Sequence, residues 1–163
     1  MSRSSMSGWV EEILISPHAT ELPYAVERAR AITRIGLEGD RYFAGVGTWS
    51  NYPVPTGKDL TLIEAEVLEA VGLCGQAARR NLVTRGIRLN NLVGRRFRVG
   101  VVECYGDRLC EPCAHLEALT GVGAAVLAHR GGLRADILSD GEIAAGDLVA
   151  ALPTAARGET SRA

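Results

Sequence analysis

Apolar residues in this chain recur at every second position over short stretches, with no regular alternation of strand-length and helix-length segments between them. "WVEEILIS" (9–16) places Ile13 and Ile15 on one face and reads as an opening strand. "FRVGVVECYGDRL" (97–109) alternates Phe97, Val99 and Val101, with a turn signal at Gly106-Asp107, and reads as strand and hairpin. "ILSDGEIAAGDLVA" (137–150) carries Asp140-Gly141, the strongest short hairpin signal, between two apolar runs. "PYAVERARAITRIG" (23–36) fits either an arginine-rich strand or a short helix, and the strand is the expectation. The firmest helix is "TLIEAEVLEAVG" (61–72): Thr61-x-x-Glu64 has the capping-box pattern, Ile63, Val67 and Val71 follow at helical spacing, and Gly72 ends it. Many short strands without repeated βαβ units predict a mainly β fold, a barrel-like core with peripheral α-helices. The same pattern argues against a thioredoxin-like or doubly wound sheet.

The 163 residues fit one domain with room for a real core, expected over 1–152. "PTAARGETSRA" (153–163) is small, polar and aperiodic and reads as a flexible tail. Composition is 47% hydrophobic and 23% charged, as in soluble globular proteins. No apolar run approaches the roughly 20 residues that span a bilayer, and Glu11 and Glu12 interrupt the first apolar stretch, so no signal peptide is read there. A cytoplasmic protein with reduced thiols is expected, so Cys74, Cys104, Cys110 and Cys113 need not pair. A net charge of −1 favours neither nucleic acid nor an anionic membrane as partner. Of the 18 basic residues only Lys58 is a lysine, so amine chemistry falls to Lys58 or the N-terminus.

The chemistry-bearing stretch is "RLCEPCAHLE" (108–117). Pro112 suits a first helical turn, which would put Cys113 at a helix N-terminus, where free amides and the dipole favour the thiolate. The spacing is open to a redox pair, to zinc held by Cys104, Cys110, Cys113 and His115, or to one working thiol beside buried neighbours. "ARRNLVTRG" (78–86) concentrates Arg79, Arg80, Asn81, Thr84 and Arg85; strand alternation sets Arg79, Asn81 and Val83 against Arg80, Leu82 and Thr84. Guanidinium groups beside an amide suit a phosphate or an acceptor-rich heterocycle; a solvated strand end with salt bridges is the alternative. "GLEGDRY" (36–42) reads as a glycine turn in which Asp40 orients Arg41 or caps the turn. "HRGGLRADIL" (129–138) reads as a helix end leading into a strand, with Arg130, Arg134 and Asp136. The loop between Tyr42 and Asp59, punctuated by glycine and proline, has the length of a binding loop or lid, with Trp49, Tyr52 and Lys58 in it. His18 and His129 are isolated. No Ser-His-Asp order, Walker loop, dinucleotide, flavin or haem signature is present.

Taken in order, "GLEGDRY", "TLIEAE", "RRNLVTRGIRLNNLVGRRFRVG", "EPCAHLE", "RGGLRADIL" and "GEIAAGD" resemble a stand-alone MOSC domain, the domain at the C-terminus of molybdenum cofactor sulfurases. The resemblance runs from about Ile13 to Val149. It implies a MOSC-type β-barrel that binds the molybdenum cofactor, with Cys113 as the catalytic thiolate on molybdenum. It implies that Arg79 and Asn81 hold the pterin and its phosphate. Arg41, Lys58, Arg80, Thr84 and Arg134 complete the expected cofactor-binding set, while Cys110 is not carried across as a ligand. The implied activity is oxidoreduction of N-hydroxylated or related small molecules, with electrons from a separate reductase. The alternatives are a sulfur carrier holding a persulfide on Cys113 for an acceptor protein, with Cys110 to resolve it, or a pterin- or anion-binding module without turnover. No pyridoxal phosphate is expected: the cysteine desulfurase domain of the sulfurases is absent, and Lys58 lies in a Pro/Gly loop without a partner for the ring nitrogen.

Overall fold

The first strand, β1 (Ser7–Ile15), turns the apolar pattern into a wall. Val10, Ile13 and Ile15 all enter the same core, although one is even-numbered and two are odd. A β-bulge between Val10 and Glu12 inserts one residue and switches the parity, so the apolar face stays inward on both sides of it. Leu14 is left pointing outward, where it joins a second apolar cluster. The computed structural model describes residues 7–17, 22–40, 56–110 and 131–153, and the statements below concern these.

After β1 come β2 (Tyr24–Val26), β3 (Arg28–Ile32) and β4 (Gly36–Leu37), so the 23–36 stretch is strand, as its sequence suggests. Then follow β5 (Leu60–Glu64), helices α1 (Ala65–Val71) and α2 (Gly75–Ala78), and β6 (Leu82–Arg85). A 3-10 turn (Leu89–Leu92) leads to β7 (Arg96–Val99) and β8 (Val102–Leu109), and the chain ends with β9 (Leu133–Ile137), β10 (Gly141–Ala144) and β11 (Leu148–Ala151). Seven strands close into a barrel in the order β11-β7-β8-β9-β5-β6-β1, and β1 returns to β11 through Ser7↔Ala150, Gly8↔Val149 and Trp9↔Leu148. Strand β2 extends the sheet beyond β1, and β10-β3-β4 form a separate three-stranded sheet. Closure removes the open edges that an antiparallel sheet would otherwise expose.

The barrel is filled by Phe97, Leu60, Leu62, Leu82, Leu89, Leu92, Leu133 and Ile137 among others. Cys104 lies among them, fully buried, and burial, together with the nearby carboxylates of Asp59 and Asp136, pushes its thiol well above the usual range. Outside the wall, α1 and α2 cover β1, β5 and β6 through Leu14, Ile63, Ala65, Leu68, Ala78 and Val83. Among the described residues no helix is long and apolar enough to cross a membrane.

Three local readings of the sequence change. Thr61–Glu64 is strand, not the first turn of a helix: helix α1 begins at Ala65, and the Glu64 carboxylate accepts a hydrogen bond from the Leu89 N–H instead of capping α1. Strand β5 runs parallel to β6, which makes this the one βαβ crossover among the described residues. The turn after Val99 falls at Gly100 and Val101, with Val101 exposed, whereas Gly106 lies inside β8. Gly106 is a close-approach glycine: a Cβ there would collide with the Leu92 carbonyl oxygen. Asp140-Gly141 does not join two paired strands; β10 crosses to β3, and the Asp140 carboxylate takes the Thr33 N–H and hydroxyl.

Candidate functional site

A small cleft, open to solvent and with enclosed room for about one water molecule, is lined by Leu14, Ser16, Pro23, Asp40, Thr61, Arg79, Arg80 and Asn81. It lies on the outer face of the wall. Strand alternation turns Leu60 and Leu62 into the barrel, which leaves Thr61 facing out, and Asn81 lies beside it at the start of β6. Arg134 is the cross-strand partner of Thr61 on β9 and extends this polar row.

Asn81 is 7% exposed and its amide is engaged by the strands on either side. Its Oδ1 accepts from the Thr61 N–H at 3.1 Å and from the Thr61 hydroxyl at 3.2 Å, and its Nδ2 donates to the Leu14 carbonyl at 3.4 Å. The amide therefore ties β1 to β5 and shapes the cleft floor. Arg80 is also buried: its Nε donates to the Gly131 carbonyl at 3.0 Å and one terminal nitrogen to the Ala78 carbonyl at 3.2 Å. Arg79 stands at the end of α2 in the left-handed conformation, φ 59° and ψ 39°, with its N–H on the Gln76 carbonyl. A non-glycine residue in that region is uncommon. The backbone there turns sharply, so two consecutive guanidinium groups meet the cleft instead of alternating across a strand.

The cleft also holds an acid that the sequence reading gave only a turn role. Asp40 is 4% exposed, and its Oδ1 accepts the Ser16 N–H at 2.9 Å. Ser16, Pro23 and Thr61 have no signal in a single sequence, because chain segments 20 to 65 residues apart bring them to Asn81. Asp40 does have one, the Gly-x-x-Gly turn before it, in which Gly36 and Gly39 take φ of 143° and 92°.

The structure separates the other predicted residues. Thr84 shares the inward face of Leu82, is fully buried, does not line the cleft, and its hydroxyl has no hydrogen-bond partner among the described residues. Lys58 is half-buried, next to Asp59, and is not part of the cleft lining. Arg85 is taken up on the outer surface by Glu11 and Glu69, each at 2.5 Å, the salt-bridged strand end that was the alternative reading. Cys110 is a buried free thiol whose N–H donates to the Gly132 carbonyl at 2.8 Å. Arg41, Cys113 and His115, the helix expected from Pro112, most of the 42–59 loop and the tail lie outside the described residues. Among the described residues no group of three or more His, Cys, Asp or Glu is placed to hold a metal ion.

The MOSC domain model matches residues 58–150. Among solved structures, the YUAD protein from Bacillus subtilis is similar with a TM-score of 0.71 at 13% identity, covering 90% of this chain and 96% of that one. YiiM from Escherichia coli gives a TM-score of 0.65 at 19% identity, covering 92% of this chain and 71% of that one. YiiM from Geobacillus stearothermophilus gives 0.66 at 13% identity, with 92% and 77% covered. No match was found among curated proteins.

Proposed function

The chain belongs to the MOSC domain family, and from that premise we propose that it is a molybdenum-cofactor-binding oxidoreductase acting on N-hydroxylated or related small molecules. The observation that carries the reading is the outer-face cleft, where Arg79, Arg80, Ser16, Thr61 and Asp40 converge. Two guanidinium groups fit a phosphate, and planar guanidinium donors bind it with two parallel hydrogen bonds where lysine offers a point charge. A carboxylate in the same cleft accepts N–H groups such as those of a reduced pterin. The chemistry of these side chains therefore suits the cofactor's phosphate and pterin ring.

In this reading Arg79 and Arg80 both face the phosphate, Arg80 with its Nε and one terminal nitrogen on backbone carbonyls. Arg80 adds charge and holds the Gly131 backbone against the cleft. Asn81 keeps β1 and β5 at a fixed spacing, and Asp40 orients the heterocycle. Arg134, beside Thr61, extends the basic wall. Cys113 follows Cys110 by three residues in the sequence, and its thiolate suits a metal already bound by sulfur. When bound, the cofactor supplies two-electron oxygen-atom transfer, and a separate reductase returns the electrons.

Protein made in a cofactor-producing host is expected to contain molybdenum and pterin in equal amounts, and Cys113→Ala protein to lose the metal. Molybdenum-free, pterin-free wild-type protein from such a host overturns the proposal. If that protein instead gains one sulfur atom at Cys113 from a cysteine desulfurase, the sulfur-carrier reading replaces it.

A further inference from the structure

Away from the cleft lining, the outer face of the wall carries two acids that the proposed chemistry does not use. The register Leu60↔Ala135 and Thr61↔Arg134 sets Asp59 opposite Asp136, one step further along β5 and β9. Both are more than nine-tenths buried, at 7% and 5% exposure. Each has one backbone donor: the Ile137 N–H on Asp59 Oδ2 at 2.9 Å, and the Gly57 N–H on Asp136 Oδ1 at 2.6 Å. Like charges directly opposite in a sheet repel, and burial makes the second ionisation costlier still.

Arg34 is the cation that faces both. Its Nε lies 3.6 Å from Asp59 Oδ2 and its Nη2 4.0 Å from Asp136 Oδ1. It comes from the tight turn between β3 and β4, in the left-handed conformation at φ 59°, and its own N–H donates to the Ile137 carbonyl at 2.9 Å. Thr33 beside it is fixed to Asp140. Three residues past β4 the same hairpin delivers Asp40 into the cleft, while Asp59 and Asp136 stand two residues from Thr61 and Arg134.

We propose that Arg34, Asp59 and Asp136 form a charge-operated clasp that sets how firmly the β3–β4 hairpin, and the cleft acid Asp40 at its end, is held against the barrel. The other groups around it are Lys58 before β5, Glu103, Cys104 and Tyr105 on β8, Asp107 and Arg108 near Thr56, and Asp140 at Thr33. Glu103 is occupied by Arg96 and Arg98, and Arg108 by Asp107 and the Thr56 carbonyl. Burial first, and Asp136 beside it, hold the Asp59 carboxyl above the ordinary range, while the Ile137 N–H and Arg34 pull it down.

The sign follows. With Asp59 ionised, Arg34 has a carboxylate at its nearer contact of 3.6 Å; with Asp59 protonated that charge is lost. Arg34's grip is therefore present above the raised folded value of Asp59 and fades as pH falls through it. Asp59's own ionisation works the other way on global stability. A raised folded value means its contribution is fully present below the unfolded value and is lost as pH rises.

The clasp is tested without any ligand, so its failure leaves the cofactor proposal standing, and absence of cofactor leaves the clasp standing. Hydrogen exchange, corrected for intrinsic rate, is measured at the Ile35, Glu38 and Asp40 amides against the barrel amide of Leu62. In Arg34→Gln protein the hairpin amides exchange roughly two- to fivefold faster at about pH 8, the range of a half-exposed ion pair. The difference narrows towards about pH 4, and is smaller at about pH 8 in an Asp59→Asn background, which keeps the acceptor and removes the charge. An equal effect at both pH values, or one undiminished by Asp59→Asn, overturns the clasp and leaves Arg34 as ordinary packing. Should the double variant fail to fold, the carboxyl carbon of Asp59 serves instead: its titration midpoint moves up in Arg34→Gln protein, and an unmoved midpoint overturns the proposal.

Discussion

Asn81 and Arg79 stand two residues apart at one cleft and load the fold in opposite directions. The Asn81 amide closes three hydrogen bonds to Thr61 and Leu14, across 20 and 67 residues of chain. Asn81→Ala is expected to cost about 2–3 kcal/mol in denaturant unfolding, because it strands a buried N–H and a buried carbonyl. Arg79 holds a left-handed backbone that disfavours any side chain. Arg79→Gly is expected to gain about 1 kcal/mol of stability, while protein from a cofactor-producing host loses its molybdenum. A variant that gains stability and keeps the metal would remove Arg79 from the proposed phosphate contact. Thr84 supplies a third test at this scale. Its hydroxyl is buried without a hydrogen-bond partner among the described residues, so Thr84→Val is expected to be neutral or stabilising by about 1 kcal/mol, read by thermal unfolding, with metal content unchanged. The sequence separates these residues only in part. Alternation sets Thr84 on the face opposite Asn81, but nothing near Asn81 in the chain shows that its amide is bound to two other strands.

At the scale of elements, strands with clean alternation were legible and their junctions were not. β7 follows from period-two patterning, because the barrel core is its single apolar destination, and β1 follows it with one change of parity at the bulge and Leu14 sent to the outer cluster. β5 escaped that logic. Both its faces are covered, by the barrel core and by α1 with the cleft, so all five residues are buried and no alternation shows. The Thr61-x-x-Glu64 spacing then mimics a cap, while the structure uses Glu64 on the 3-10 turn. The helix end was legible because a left-handed stop needs glycine: Gly72 has φ 75° and its N–H reaches the Leu68 and Glu69 carbonyls. A Cβ there meets nothing within 4 Å. Gly72→Ala is thus expected to cost about 1 kcal/mol through backbone strain alone, and thermal unfolding checks it. A much larger loss would show that α1 has little tolerance for a frayed end.

For the whole molecule the decisive event is closure, where β1 must meet β11, β6 and β2 along one continuous strand. Short-range pattern indicates a barrel but not its seam, since partners such as Trp9 and Leu148 lie at opposite ends of the chain. One residue marks the seam physically. Gly8 has an ordinary backbone, yet a Cβ on it would collide with the Arg85 carbonyl oxygen and press on the Ile87 nitrogen at 2.9 Å. These atoms belong to backbone just leaving β6, which the seam pins in place, so they cannot yield as a flexible side chain would. Gly8→Ala is expected to cost about 3 kcal/mol or more in urea unfolding followed by circular dichroism. Gly146, in the turn after β10, is the control: its φ is 94° and a Cβ there meets nothing within 4 Å, so its alanine variant carries strain but no collision. If the two variants lose equal stability, the seam is loose enough to absorb a methyl group. The larger loss at Gly8 would instead show that β1, where it also pairs with β11, is held too tightly against the end of β6 to absorb a methyl group.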